Sequence, residues 1–300
     1  MNRITAAQLP VFETQRRMLD RLRQRYPFIA VEEAGRSVLG RCIYSVRIGG
    51  GDEATLFAAA FHANEWLTIL LMLRFIERLC EALDSGSQLG GMDCRRALLG
   101  RGLTVVPCVN PDGVEISLLG FSSAHDLAPE VARIAGDSAD NWTANARGVD
   151  LNRNYDAGWH ISRQLETAAG ITGAAPRRYG GERPESEPET QAMVRLCEQR
   201  RFRCALAFHS QGEEIYWHYG EHTPQRSQLI ARVLAMSSGY RIAEPENIAA
   251  HAGFKDWFID RYRRPAFTIE VGSGRNPLPL ASLDDIYERI EEMLMLAIVI

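Results

Sequence analysis

Nothing in the first ten residues, 1–10, forms the apolar run that a secretion signal requires. Export by that route is not expected, and a cytoplasmic setting is. The longest apolar run, 293–300, is eight residues against the roughly 20 that a membrane-spanning helix needs, so it reads as a buried helix end. Charge of one sign is lacking too: 34 Lys and Arg against 38 Asp and Glu leave a net −4. That balance gives no reason to expect a polyanion partner, and nucleic-acid binding drops out. The six cysteines, Cys42, Cys80, Cys94, Cys108, Cys197 and Cys204, include no C-x-x-C pair. This removes a cysteine-rich zinc site and, without an export signal, favours reduced thiols. No repeat and no Pro/Gly/Ser-rich linker divides the chain. One domain over 1–300 is expected, and no obligate protein partner is evident.

What is present is a 300-residue chain with 46% apolar content, enough to bury a sizeable core. Short apolar runs alternate with stretches of helical period, the pattern of an α/β fold with a mostly buried sheet. Residues 55–61, 103–109, 204–208 and 265–271 read as strands; 66–83, 187–200, 225–237 and 283–298 read as helices, the first apolar on nearly all sides. Residues 1–50 supply an N-terminal helix and strands. Between 118 and 184 periodicity fades and Gly, Asn, Asp, Arg and Ser accumulate. So long a loop-rich region is tolerated mainly where loops line a functional site.

His62-Ala-Asn-Glu65 follows a strand directly. A tight loop there can turn an imidazole and a carboxylate toward one point and supply two zinc ligands, although such a pair is often merely solvated. His209 also ends an apolar strand, in Phe208-His-Ser-Gln-Gly. Ligands gather beyond the carboxyl ends of parallel strands, so a His2Glu set results, which leaves a coordination position open as catalytic zinc sites do. Glu270 lies inside an apolar strand, where a carboxylate needs a task or a partner. It is either ion-paired with an arginine such as Arg264 or, beside a metal, a general base. Arg147-Gly-Val-Asp150-Leu-Asn152-Arg153-Asn-Tyr carries groups suited to carboxylate capture and carbonyl polarisation, with a solvated turn as the alternative. Asn110-Pro-Asp-Gly113 reads as a turn that needs no function.

Taken in order, H-x-x-E at His62, N-P-D-G at Asn110, G-V-D-L-N-R-N at Gly148, H-S at His209 and F-T-I-E ending at Glu270 resemble the zinc carboxypeptidase (M14) family, from about Thr55 to Pro279. The resemblance implies a single-domain α/β fold with a mixed, twisted eight-stranded sheet between helices. It implies one Zn2+ on His62, Glu65 and His209, Glu270 as general base, and Asp150 orienting His62, since a metal-bound imidazole usually donates its other N–H. Asn152 and Arg153 match the pair that holds the substrate's terminal carboxylate, and Ser210 joins the substrate-binding set. The segments 208–217, 253–259, 264–272 and 276–279 are similar to bacterial γ-D-glutamyl-diaminopimelate peptidases, which cut peptidoglycan stem peptides. Two positions depart from the family pattern. Thr143 follows Trp142 where an oxyanion-stabilising arginine is usual, and Arg147 is taken as its substitute. The family's mobile tyrosine falls on Ile248, and His251 either contributes instead or is a plain loop histidine. Lys255 falls at the floor of the specificity pocket, where a cation fits a substrate carboxylate.

Three functions compete on this reading. The first is a zinc amidohydrolase of muropeptides acting in the cytosol on recycled wall fragments or within a developing spore. The second is a general carboxypeptidase removing C-terminal residues. The third is a non-catalytic peptide-binding protein, against which the intact His62, Glu65, His209 and Glu270 argue.

Overall fold

The four apolar runs read as strands become four adjacent central strands in a computed structural model that describes residues 3–5, 7–51, 53–136, 138–244 and 250–300. The strands are β1 (Ala30–Arg36), β2 (Cys42–Gly49), β3 (Ala54–Ala59), β4 (Gln88–Leu89), β5 (Met92–Asp93), β6 (Gly102–Val106), β7 (Phe202–His209), β8 (Glu214–Tyr216), β9 (Arg241–Ile242) and β10 (Ala266–Glu270). Strands β4 and β5 pair alone, and the other eight form a mixed sheet in the order β1-β2-β6-β3-β7-β10-β8-β9. The middle four, β6, β3, β7 and β10, run parallel, and β2 and β8 flank them antiparallel. Parallel strands covered on both faces read as continuous apolar runs, which is why these four stand out in the sequence. The outer strands β1 and β9 are only partly buried or exposed, and their polar composition hides them.

Ten helices are described: α1 (Phe12–Arg25), α2 (Leu67–Ser85), α3 (Cys94–Ala97), α4 (Pro111–Leu119), α5 (Ala128–Ala135), α6 (Trp159–Ala168), α7 (Pro188–Gln199), α8 (Arg226–Ser238), α9 (Phe254–Tyr262) and α10 (Leu283–Val299). Successive strand residues face opposite sides, and this period of two divides the core into layers. Phe57, Phe208, Phe267 and Ile269 pack with α2, α8 and α10, whereas Leu56, Ala58, Ala205, Ala207 and Ala266 pack with α7 and α9. Helix α2 is buried along most of its length, as its largely apolar sequence requires, and Arg74 and Glu77 are buried with it. Among the described residues no helix is long and apolar enough to cross a membrane.

Two expectations are corrected. The 118–184 region is not loop throughout: it contains a 3-10 stretch (Phe121–Leu127), α5 and α6. Asn110-Pro-Asp-Gly113 is not an idle turn but the start of α4. Its Asn110 side chain accepts from Gly113 N at 2.9 Å and donates to the carbonyls of Phe61 and Ala144, both at 3.1 Å. Pro111 at the first helical position completes a helix start.

Candidate metal centre and its cleft

Strands β3, β7 and β10 end side by side. Glu270 and His209 are register partners at the ends of β10 and β7, and Phe208 pairs with Ala59, the last residue of β3. Three residues on, His62 opens a tight loop that brings Glu65 back toward it and leads into α2. That loop is fixed from below: Thr68 donates to Glu65 O at 2.7 Å and accepts from Ala60 N at 3.1 Å. The carboxyl ends of parallel strands are where α/β sheets build their sites, and these ends carry the three residues expected to hold a metal.

Their geometry is that of a cation cage. His62 Nδ1 lies 2.7 Å from Glu65 Oε1, His209 Nδ1 lies 2.9 Å from Glu65 Oε2, and the two Nδ1 atoms are 3.3 Å apart. Two imidazole nitrogens converge on one carboxylate, a group able to hold a single metal ion. The donor set His2Glu suits zinc, so the residues fit the ion that the family resemblance implies. Nδ1 of His62 is left to point inward because Nε2 is engaged by Asp150 Oδ1 at 3.1 Å, the outer contact that fixes tautomer and ring plane. Asp150 is itself held: it accepts from Asn152 N and Arg178 N, at 3.1 and 3.2 Å.

The charges follow this packing. Burial works to raise Glu65, but the adjacent His62 and His209 bring its carboxyl down to about 2. Burial opposes protonation of His62, yet Glu65 and Asp150 raise it well above the ordinary imidazole range. Burial likewise acts to raise Asp150, and His62 and Arg153 hold it below the usual carboxylate range instead. Glu270 moves the other way: its recessed position, reinforced by Glu65 and by Glu214 opposite it on β8, pushes its carboxyl well up. Arg264 is not its partner, since that guanidinium donates to Phe202 O and Glu53.

The cage floors a cleft of about 520 Å3 lined by His62, Glu65, Asp150, Arg153, Ser210 and Glu270 among others. Ser210 donates to Asn276 Oδ1 at 2.8 Å. Arg153 lies 3.6 Å from Asp150. Asn152 Oδ1 accepts from Phe254 N at 3.0 Å, capping the entry to α9, so its N–H groups are what it can offer a ligand. Three expected residues are elsewhere. Arg147 is half exposed and turned to Glu187 at 3.7 Å, because Asn145 folds the 145–149 turn against Glu187 and Glu189. Lys255 does not floor the cleft: it is 4% exposed, donates to His218 O at 2.8 Å and is ion-paired with Asp256, itself pushed up by burial despite that lysine. His251 lies 3.3 Å from Tyr219 OH and lines a neighbouring cavity. Ile248 is outside the described residues.

The cleft instead gains Thr143, noted above only as a departure from the family pattern, and residues the sequence did not flag: Asn64, Tyr216 and the arginines Arg177, Arg178 and Arg275. A composition-level signal was present, since the Arg177-Arg178 pair sits in the polar region, but its place is set by contacts far apart in sequence. Thr143 N and Ala144 N both donate to Pro176 O, and Asp150 N donates to Tyr179 O. Arg178 adopts φ +68°, a backbone region that side-chain-bearing residues seldom occupy.

The zinc carboxypeptidase family model matches residues 16–294. Gamma-D-glutamyl-L-diamino acid endopeptidase 1 of Lysinibacillus sphaericus is 38% identical over 272 residues, covering 90% of this chain and 67% of that protein. Bovine thrombin-activatable fibrinolysis inhibitor, solved with tick carboxypeptidase inhibitor, superposes with a TM-score of 0.76 at 18% identity, covering 98% of this chain and 96% of that one. Murein-tripeptide amidase of Escherichia coli O157 superposes with a TM-score of 0.52 at 24% identity, covering 90% of each chain. With a family match over nearly the whole chain and a His-Glu-His group able to hold one metal ion, the chain belongs to the M14 zinc carboxypeptidase family and is a metallopeptidase.

Proposed function

We propose that the chain hydrolyses the γ-D-glutamyl-diaminopimelate amide bond of peptidoglycan stem peptides or muropeptides. The observation that carries the hydrolytic part is the His62-Glu65-His209 cage with Glu270 at the next strand end. Support for the bond cleaved comes from the 38% identical endopeptidase. When bound, a zinc ion supplies Lewis acidity to the attacking water and the scissile carbonyl. Glu270, at the strand end beside the cage, takes the proton from that water and delivers it to the leaving amine. Arg153 and Asn152 hold a carboxylate of the leaving amino acid, and Asp150 keeps His62 aligned. A peptide carboxypeptidase of broader range would use the same floor, so substrate choice must be tested directly.

Incubation of the zinc-loaded protein with L-Ala-γ-D-Glu-meso-diaminopimelate and, separately, with a hippuryl dipeptide, followed by mass analysis, does so. Release of diaminopimelate from the first is the expected result. Cleavage of the hippuryl substrate alone overturns the proposal in favour of the general carboxypeptidase.

A further inference from the structure

The cations around this cleft fall into two groups. Arg153 at the floor, Arg147 outside and Lys255 below all have carboxylate neighbours. On the rim, Arg177, Arg178 and Arg275 are exposed, and among the described residues none of the three has an ion-pair partner. Three uncompensated guanidinium groups around one opening repel one another and raise the local positive potential. Two of them are also held at a set height. The Pro176–Tyr179 strap is bonded to Thr143, Ala144 and Asp150, so Arg178 hangs from the same carboxylate that backs His62.

A second observation lies in the same cleft. Asn64, two residues after His62 and 7% exposed, has a buried Oδ1 with no hydrogen-bond partner. A buried acceptor left unsatisfied is costly, and a ligand N–H would answer it. The cleft therefore offers an amide acceptor and carboxylate donors together, and arginine is the side chain whose planar fork matches a carboxylate bidentately.

We infer that Arg177, Arg178 and Arg275 form a subsite for a carboxylate on the acyl side of the scissile bond, with Asn64 taking the neighbouring amide N–H. The inference rests on the function proposed above and deepens it. A γ-linked glutamyl residue carries its α-carboxylate three carbons from the scissile carbonyl, with the acylated nitrogen on the carbon that bears the carboxylate. An α-linked glutamyl residue has a carboxylate at the same spacing but carries that nitrogen on the carbon next to the scissile carbonyl. The rim arginines and Asn64 together thus select the linkage, since only the γ-linked form places carboxylate and N–H on one carbon, while Arg153 is left to the leaving group.

The test compares L-Ala-γ-D-Glu-meso-diaminopimelate with the same peptide carrying an amidated glutamyl α-carboxylate, measuring kcat/KM for the zinc-loaded wild type, R177Q/R178Q, R177K/R178K and R275Q. Wild type is expected to prefer the acid. The ratio of acid to amide should fall roughly tenfold to hundredfold in R177Q/R178Q, as expected for loss of hydrogen bonds to a charged group, and recover in part in R177K/R178K. R275Q, on a separate segment, should move the ratio the same way. Zinc content and thermal melts confirm that each variant is folded. Equal cleavage of both peptides by wild type, or a loss shared equally by both in the variants, overturns the subsite and leaves the hydrolase standing. Failure to cut either stem peptide while a hippuryl dipeptide is cut overturns the proposed function and the subsite with it.

Discussion

At the scale of single residues, buried polar groups separate into those that serve the cleft and those that hold it in place. Glu189 is of the second kind. It is fully buried, accepts from Val38 N at 3.0 Å and from Asn145 at 3.2 Å, and so ties the turn that delivers Asp150 to the β1–β2 connection. Burial, with Asp112 and Glu187 nearby, pushes its carboxyl up to about 8. The folded state then holds this proton more tightly than the unfolded chain, where a glutamate titrates near 4.3. The contribution to stability is complete below that value and is lost as pH rises through the folded one. Thermal melts between pH 5 and pH 9 should show wild type losing stability more steeply than Glu189→Gln, and parallel curves would refute the assignment. The Lys255 and Asp256 pair belongs to the same structural class, since both side chains are only 4% exposed and each satisfies the other. Lysine at this position suggests a substrate cation-to-carboxylate contact until its burial is known.

At the scale of elements, the four parallel strands and four long helices are legible because burial on both faces, or on one stripe, imposes a period on sequence. The ligand motifs are legible for a related reason: they sit at strand ends, where an apolar run stops at His209 or Glu270. Helices α5, α6 and α9 are not, being short and mixed in composition. Arg177 and Arg178 are hidden because backbone bonds between Pro176 and residues 143 and 144, rather than any local pattern, set their position. The start of α4 shows how such distant ties act. A Cβ on Gly113 would meet Ala144 O at 2.3 Å and the Asn110 carboxamide nitrogen at 2.5 Å. Backbone and a buried clamp cannot yield as a flexible side-chain end can. Gly113→Ala should therefore lower the melting temperature and, because Asn110 also holds Phe61 O beside His62, weaken zinc binding. A surface control, Gly91→Ala, would also be strained by its positive φ but should leave zinc affinity alone. Equal zinc affinity in both variants would show that the clamp does not position the ligand loop.

At the scale of the whole molecule, the metal site is a cross-link between central strands. Glu65 and His209 are 144 positions apart in sequence yet 2.9 Å apart in the fold, and the unfolded chain cannot present them together. Zinc thus binds the folded state selectively, and its binding free energy becomes folding free energy. With free zinc at a thousand times its Kd the gain is about 4 kcal/mol. For a chain of this size each kcal/mol shifts the midpoint by roughly 2 °C, so removing zinc with a chelator should lower the melting temperature by several degrees and zinc should restore it. Variants then separate ligation from chemistry. His62→Ala should melt at one temperature with or without zinc. Glu270→Gln should keep the full zinc-dependent shift while losing about a hundredfold or more in kcat, the scale of general-base catalysis. A Glu270→Gln protein that no longer responds to zinc would make that glutamate a ligand rather than a base. A wild-type melting temperature indifferent to zinc and chelator alike would sever the link between the three strand ends and the ion they are built to share.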